Sequence, residues 1–169
     1  MTKPPLASGS PGAAPRRARS ADDALAIRPV RRPDLDQVIA IDATVTGMEK
    51  RKYWAAVYRR YAGTERREQQ FLVALSQRRV VGFVIGEVRD WEFGSPPCGW
   101  VFAIDVDPQA RLAGVGTQLL AAIGANFRRA GVRKLRTLLA RDDSLILSFF
   151  RSQGMMAGPL ISLEMDIDD

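Results

Sequence analysis

The sequence predicts a single α/β domain in which helices flank a mixed β-sheet. First, short apolar strands alternate with amphipathic helical segments along the chain. Second, a strand that ends near Val106 continues through a glycine turn into a helix. Third, 169 residues with 46% apolar and 26% charged side chains are typical of one soluble globular domain that has its own core.

The N-terminus is predicted to be a disordered basic tail at 1–22, followed by the folded domain at 23–169. The tail is rich in Pro, Ala, Gly, Ser and Arg and has almost no large apolar side chains. Four of the 25 basic residues and none of the 19 acids lie in the first 20 positions, so the domain itself holds little of the net charge of +6. This distribution argues against a nucleic-acid partner, which needs positive charge clustered on the folded domain.

The N-terminal half is predicted to form one strand, two helices and a hairpin. The first helix begins at Pro33-Asp34, because proline is favoured in the first helical turn. A short polar turn at 76–79 joins two apolar runs and indicates the hairpin. The buried stripe of the first helix is Leu35, Val38, Ile39 and Ile41. The predicted elements are a strand at 25–30, helices from 33 and at 49–61, and strands at 70–75 and 80–88.

The second helix combines aromatic and basic side chains. Such interleaving can serve stacking on nucleic acid, but the helical spacing of the apolar and aromatic residues favours packing in the core. These residues are Tyr53, Trp54, Val57, Tyr58 and Tyr61.

The C-terminal half is predicted to alternate strands and helices after an irregular loop at 91–99. Gly131 and Gly154 end the two helices, and Asp142-Asp143-Ser144 supplies the N-cap of the second one. The last segment alternates apolar and polar side chains, which predicts a half-exposed strand. The predicted elements are a strand at 100–106, a helix at 117–130, a strand at 134–140, a helix at 144–153 and a strand at 161–167.

The stretch Arg111-Leu112-Ala113-Gly114-Val115-Gly116 lies between a strand and a helix. Backbone N–H groups at a helix N-terminus lack partners within the helix, and glycines let a phosphate approach them closely. The spacing R-x-x-G-x-G differs from the dinucleotide fingerprint and from the phosphate loop of nucleotide hydrolases. The stretch alone is compatible with an anion-binding loop or with an ordinary helix start that contains two glycines.

Two motifs resemble the GNAT superfamily of N-acetyltransferases. Ile104-Asp-Val-Asp-Pro108, followed by the stretch 111–116, resembles its acyl-coenzyme A pyrophosphate loop, and 143–155 resembles its helix that ends in a glycine turn. The order of elements over about 24–167 is that of the GNAT fold. The resemblance implies an acetyl-coenzyme A-dependent N-acetyltransferase that acts on a primary amine of a protein or small molecule by direct attack.

The resemblance also implies which residues contact the cofactor. Backbone N–H groups from Leu112 to Gly116 would hold the pyrophosphate, with Arg111 adding charge or orienting the loop. The strand would pair with the pantetheine arm, and the N–H of Val106 would stabilise the oxyanion. The implied cofactor-binding residues are Ile104, Asp105, Val106, Arg111, Leu112, Ala113, Gly114, Val115, Gly116, Thr117, Ser144, Phe149 and Phe150.

The acid–base chemistry departs from the pattern of the family. Phe150 stands where many members carry a Tyr that can protonate the thiolate, and Trp100 and Leu138 stand where some members carry a glutamate base. The chain has no histidine, which excludes His-dependent nucleophiles and His-based zinc sites, and no metal is expected. Three alternatives remain: attack by proximity with water accepting the proton, Glu87 or Asp105 as the base, or a non-catalytic acetyl-coenzyme A-binding sensor or interaction module.

The acceptor is expected to lie between the N-terminal helices and the loop at 89–99, with Tyr53, Trp54, Trp91 and Glu92 as candidate contacts. A homodimer through the final strand or the N-terminal helices is compatible with the sequence. No apolar run approaches the ~20 residues that span a bilayer, and the first twenty residues lack the apolar centre of a secretory signal. With a single cysteine, these features predict a cytoplasmic protein without a membrane partner.

Overall fold

One five-stranded sheet runs through the computed structural model, which describes residues 25–63, 68–111 and 113–167. The sheet order follows the chain, from β1 to β5. The first four strands are antiparallel neighbours, and β5 pairs with β4 in parallel. The predicted tail at 1–22 lies outside the described residues. The elements are β1 (Ala26–Pro29), α1 (Leu35–Thr46), α2 (Arg51–Tyr61), β2 (Gln69–Ser76), β3 (Arg79–Arg89), β4 (Cys98–Val106), α3 (Val115–Arg129), β5 (Leu135–Arg136) and α4 (Ser144–Ser152).

Helices cover both faces of the sheet. On one face, α1 and α2 bury the predicted stripe of the first helix, and Trp54 of α2 packs against the rings of Phe71 and Phe83. On the other face, α3 buries a stripe that includes Leu119, Ile123 and Phe127. The mixed sheet with flanking helices confirms the predicted fold class.

The second helix packs as its periodicity predicts. Trp54, Val57 and Tyr61 are buried, Tyr58 packs partly against the same core, and Tyr53 is exposed. The basic residues between them are exposed at 51, 52, 59 and 60. The aromatic side chains therefore serve mainly to join α2 to the sheet.

Glycine at position 82 lets α3 lie directly on β3. A Cβ atom there would be 2.9 Å from the carbonyl oxygen of Asp105 and 3.1 Å from a methyl group of Val115. Both distances are shorter than ordinary carbon contacts, so a side chain would push α3 away from the sheet. This packing holds the N-terminal turn of α3 beside the end of β4.

Two sequence predictions in the C-terminal part are wrong. The strand predicted at 134–140 is only the two-residue β5, and 161–167 forms no strand. Alternation identifies a face that could be buried, but a strand needs a neighbouring edge to pair with. The described residues supply no such partner for 161–167, and its apolar side chains are exposed. The observed order is β-α-α-β-β-β-α-β-α, and no described helix has the length and apolarity needed to cross a membrane.

Candidate active site

β4 presents an unpaired edge next to β5. Among the described residues, β5 pairs with β4 only at Gly99 and Trp100, so the rest of β4 has no strand on that side. The register between β3 and β4 shifts by one residue and leaves Phe102 without a partner on β3. Such a bulge bends a strand and increases its local twist. Pairing between β4 and β5 therefore ends directly after Trp100.

Backbone amides of β4 point to this edge. Asp107 donates its N–H to the carbonyl of Val81 at 2.9 Å, which makes these two residues a hydrogen-bonded pair. Hydrogen-bonded and non-hydrogen-bonded pairs alternate along an antiparallel ladder. Val106 with Gly82 and Ile104 with Val84 are thus non-hydrogen-bonded pairs. The N–H groups of Ile104 and Val106 consequently point away from β3, toward the unpaired edge.

The N-terminal turn of α3 lies beyond the end of β4. Gly114 precedes the helix with a φ of +76°, and its carbonyl accepts the first helical hydrogen bond from Gln118. The N–H groups of the first turn, at 115–117, therefore have no acceptor within the helix. No acidic side chain lies in this turn, and a Cβ atom on Gly114 would meet no atom within 4 Å. The helix end can accept an anion, although Leu112 in the preceding loop lies outside the described residues.

α4 packs against this turn through Phe149. A Cβ atom on Gly116 would be 3.1 Å from the Phe149 ring and 3.7 Å from a methyl group of Val106. The loop, the end of β4 and α4 therefore meet at Gly116. Ser144 is exposed at the start of α4, and Phe150 is buried in the core with 4% exposure.

Asp105 precedes Val106, which contributes to this junction, on β4. It pairs with Phe83, whose ring contacts Trp54, so its side chain projects to the face that α1 and α2 cover. Burial, and to a smaller extent nearby Asp42, raise the pKa of Asp105 to about 6 against the opposing charges of Lys50 and Arg111. Such a carboxyl group is ionised at neutral pH and close to the pKa that proton transfer favours.

A buried carboxylate on α1 lies next to Asp105. Asp42 accepts hydrogen bonds from the Lys50 ammonium and the Trp54 indole N–H, both at 2.9 Å. Trp54 is only 2% exposed, so it lies behind the surface where an acceptor would bind. Sequence reasoning missed Asp42 and Lys50, since only the fold brings α1 beside β4.

Glu87 is engaged by other protein groups. Its carboxylate accepts hydrogen bonds from the Tyr61 hydroxyl at 2.8 Å and from Arg89 at 3.1 Å, and Arg60 lies 3.6 Å away. Burial, followed by the hydrogen bond to Glu87, raises the pKa of Tyr61 to about 12. Glu87 is thus a less available base than Asp105, and Tyr61 stays protonated.

The four candidate acceptor contacts lie near opposite ends of β4. Tyr53 is exposed and packs edge-on against Trp54, on the side of Asp105. Trp91 is 69% exposed and Glu92 is exposed beside Arg89, in the loop that enters β4 at its N-terminal end. Tyr53 and Trp54 contact each other, whereas Trp91 and Glu92 lie in the loop at the other end of β4.

The chain is similar to known acetyltransferases. The profile of the Acetyltransferase (GNAT) family matches residues 35–155. Mycothiol acetyltransferase from Kocuria rhizophila is 31% identical over 87 residues, which cover 50% of this chain and 29% of that protein. The chain thus spans less than a third of the curated relative that it matches.

Solved structures share the fold. Aminoglycoside N-acetyltransferase AAC(6′)-Iy in complex with coenzyme A aligns with a TM-score of 0.74 and 17% identity, over 85% of this chain and 95% of that one. A transcriptional regulator from Bacillus halodurans aligns with a TM-score of 0.72 and 16% identity, over 85% of this chain and 100% of that one.

Proposed function

The chain belongs to the GNAT family of acetyltransferases, and we propose that it transfers an acetyl group from acetyl-coenzyme A to a primary amine by direct attack in a ternary complex. The acceptor amine belongs to a protein or a small molecule. The proposal rests mainly on one observation: the outward N–H groups of Ile104 and Val106 lead along β4 toward the N-terminal turn of α3. Together they offer donors for an extended amide-bearing chain that ends in a pyrophosphate.

The residues present fit coenzyme A. The N–H groups from Ala113 to Thr117, with Arg111 beside them, would hold the pyrophosphate, and the open space at Gly114 leaves room for it. Ile104 would pair with the pantetheine arm. The cofactor supplies an acyl group activated as a thioester, and the N–H of Val106 would stabilise the negative charge that develops on its carbonyl oxygen.

We propose Asp105 as the proton acceptor. The amine nitrogen attacks the carbonyl carbon, the C–S bond breaks, coenzyme A leaves as the thiolate, and the ammonium proton passes to Asp105 directly or through water. The raised pKa and the burial of Asp105 support this role. Phe150 carries no hydroxyl group and is buried, so the thiolate leaves without a proton from this position of α4.

The second candidate function is a non-catalytic acetyl-coenzyme A-binding sensor. Phe150 and the absence of a glutamate at Trp100 and Leu138 favour it. A screen of amine acceptors for release of free coenzyme A thiol separates the two candidates. Turnover with any acceptor, lost in a Gly114→Val variant, supports the enzyme. Coenzyme A binding without turnover for any amine class supports the sensor.

We also propose that the protein forms a homodimer through its C-terminal segment at 160–167. Ile161, Leu163, Met165 and Ile167 are all at least 80% exposed, and they alternate with Glu164 and other polar residues. The outer edge of β5 has no neighbouring strand among the described residues, and basic side chains at 133 and 134 lie beside it. Pairing of the segment with a second copy at this edge would bury the apolar side chains and join opposite charges.

A further inference from the structure

Trp100 and Arg136 face each other where β4 and β5 separate. They are partners in the parallel register, so their side chains share one face of the sheet. A Cβ atom on the preceding Gly99 would contact the ring of Phe127 in α3, which places Trp100 on the opposite face from α3. Glu87, the partner of Trp100 on β3, bonds Tyr61 of α2 on that same face. The pair therefore lies at the closed end of the gap between the two strands, on the acceptor side.

Both side chains have a buried donor without an acceptor. The indole N–H of Trp100 and the Nη1 group of Arg136 are inaccessible to solvent and form no hydrogen bond, and Trp100 is only 7% exposed. The other terminal nitrogen of Arg136 donates to the Ser95 hydroxyl at 3.1 Å. A buried donor that loses water without gaining an acceptor is destabilising, so two adjacent ones indicate a missing partner.

The charge of Arg136 is also uncompensated. None of the ion pairs among the described residues includes Arg136, and its guanidinium lies 5.9 Å from the centre of the Trp100 ring. A second guanidinium, that of Arg89, lies 5.0 Å from the same ring. Arg89 is bonded to Glu87, which also binds Tyr61. The Glu87 carboxylate on this face is therefore already occupied.

These observations specify the chemistry of the missing partner. A carboxylate has two acceptor oxygens, which suit one guanidinium nitrogen and one indole N–H, and its single charge balances Arg136. A phosphate dianion would need a second cation, but Arg89 is already ion-paired with Glu87. The site therefore suits a carboxylate better than a phosphate. Ser95 lies in the loop before β4. A ligand bound here would therefore replace or shift the hydrogen bond between Arg136 and Ser95.

We propose that Trp100 and Arg136 form a binding subsite for a carboxylate carried by a substrate of the transfer reaction. The inference rests on the proposed function, because it places this group at the closed end of the gap that receives the acyl donor and the amine. The carboxylate belongs either to the acceptor amine or to an acyl group longer than acetyl. Arg136 and Trp100 are specificity-determining residues in both cases.

The test compares substrates that differ only in this group. The acceptor arm uses amino acids and dipeptides, each paired with its own C-terminal amide, with acetyl-coenzyme A as donor. The acyl arm compares succinyl-coenzyme A with acetyl-coenzyme A. Thiol release gives kcat/KM, and calorimetry gives Kd for the same ligands without requiring turnover. We expect one arm to favour the carboxylate by about tenfold or more in both measurements.

Variants assign the preference to the subsite. Arg136→Gln should abolish the preference for the carboxylate. Trp100→Phe keeps a ring in the core and should reduce the preference by about threefold to tenfold. Arg128→Gln, on the exposed side of α3, is the control and should retain the preference. Equal Kd values within each pair in both arms, or a preference that persists in Arg136→Gln, would overturn the inference. A carboxylate preference in Kd without thiol release would instead refute the proposed enzyme while leaving the subsite in place.

Discussion

The ring of Phe149 lies against Gly116, so close that a single methyl group on Gly116 would be 3.1 Å from it. This contact joins α4 to the first turn of α3, where we propose that the cofactor pyrophosphate binds. The α4 helix is therefore part of the support of the loop. Predictions about coenzyme A can be tested by altering either side of this contact.

Gly116→Ala should destabilise the protein by about 1–2 kcal/mol, because the new methyl group displaces the Phe149 ring. Helix propensity alone would favour alanine by up to about 1 kcal/mol. Urea unfolding of Gly116→Ala, Phe149→Ala and the double variant gives the coupling energy. We expect the double variant to be more stable than the two single effects predict, by about 1 kcal/mol.

Gly124→Ala is the matched control for this contact. Gly124 lies in the same helix, and a methyl group there would meet no atom within 4 Å. It should stabilise the protein by about 0.5–1 kcal/mol and leave coenzyme A affinity unchanged. Equal effects of alanine at positions 116 and 124 would show that Phe149 does not constrain the loop.

Gly114→Val should lower coenzyme A affinity by at least about tenfold. The φ of +76° is unfavourable for a β-branched residue, and the side chain would enter the open space before the helix. Calorimetry with coenzyme A measures the change, and circular dichroism checks that the fold is retained. An unchanged Kd in a folded variant would contradict the assignment of this loop to the pyrophosphate.

Asp105→Asn should be more stable than the natural protein at pH 7. The pKa of Asp105 is raised from 3.8 to about 6, so the folded state holds this proton more tightly than the unfolded state does. The protein therefore loses stability as the pH rises from about 4 to 6, because the partly buried Asp105 carboxyl group must then ionise in the folded state. The gain in the Asn variant should be about 2 kcal/mol at pH 7 and near zero at pH 4. Denaturant unfolding at both pH values measures it.

The same substitution should lower activity. In the natural protein, kcat/KM should increase as the pH rises through the pKa of Asp105, near 6. Asp105→Asn should lose this pH dependence, and its kcat should be about a hundredfold lower. Glu87→Gln serves as the comparison, because Glu87 is already bonded to Tyr61 and Arg89. If the pH dependence of kcat/KM is unchanged in Asp105→Asn, Asp105 is not the base, and water or another group accepts the proton.

Deletion of 159–169 should convert a dimer into a folded monomer. The apolar side chains of this segment are exposed in a single chain, so their removal should cost the fold little. Sedimentation of the full chain and the truncated chain measures the effect at the same concentration. A full chain that sediments as a monomer at micromolar concentration would contradict the proposed dimer.

Sequence reasoning predicted the elements whose signals are local. The stripe from Leu35 to Ile41, the hairpin around the turn at 76–79, and the helix that begins after Gly114 each follow from periodicity or turn chemistry within a few residues. The prediction of a strand at 161–167 was wrong, because strand pairing depends on the edge of another strand that is distant in sequence, and no local pattern specifies that edge.

The candidate site divides in the same way. The loop at 111–116 carries its signal in its spacing, and the bonding direction of Val106 follows only once the register with β3 is known. Asp105 was a candidate from the sequence, but its raised pKa depends on burial and on Asp42 from another element. The pair of Trp100 and Arg136 gives no sequence signal, since it exists only where β4 and β5 meet.

Amide hydrogen exchange at Ile104 and Val106, with and without acetyl-coenzyme A, tests the central claim most directly. The account predicts that both amides exchange rapidly in the free protein and slow by at least about tenfold when acetyl-coenzyme A is bound, because Ile104 then donates to the pantetheine arm and Val106 to the thioester carbonyl. The amide of Asp105, which faces β3, should be slow in both states. Exchange at Ile104 and Val106 that stays unchanged at saturating acetyl-coenzyme A would contradict the proposed site.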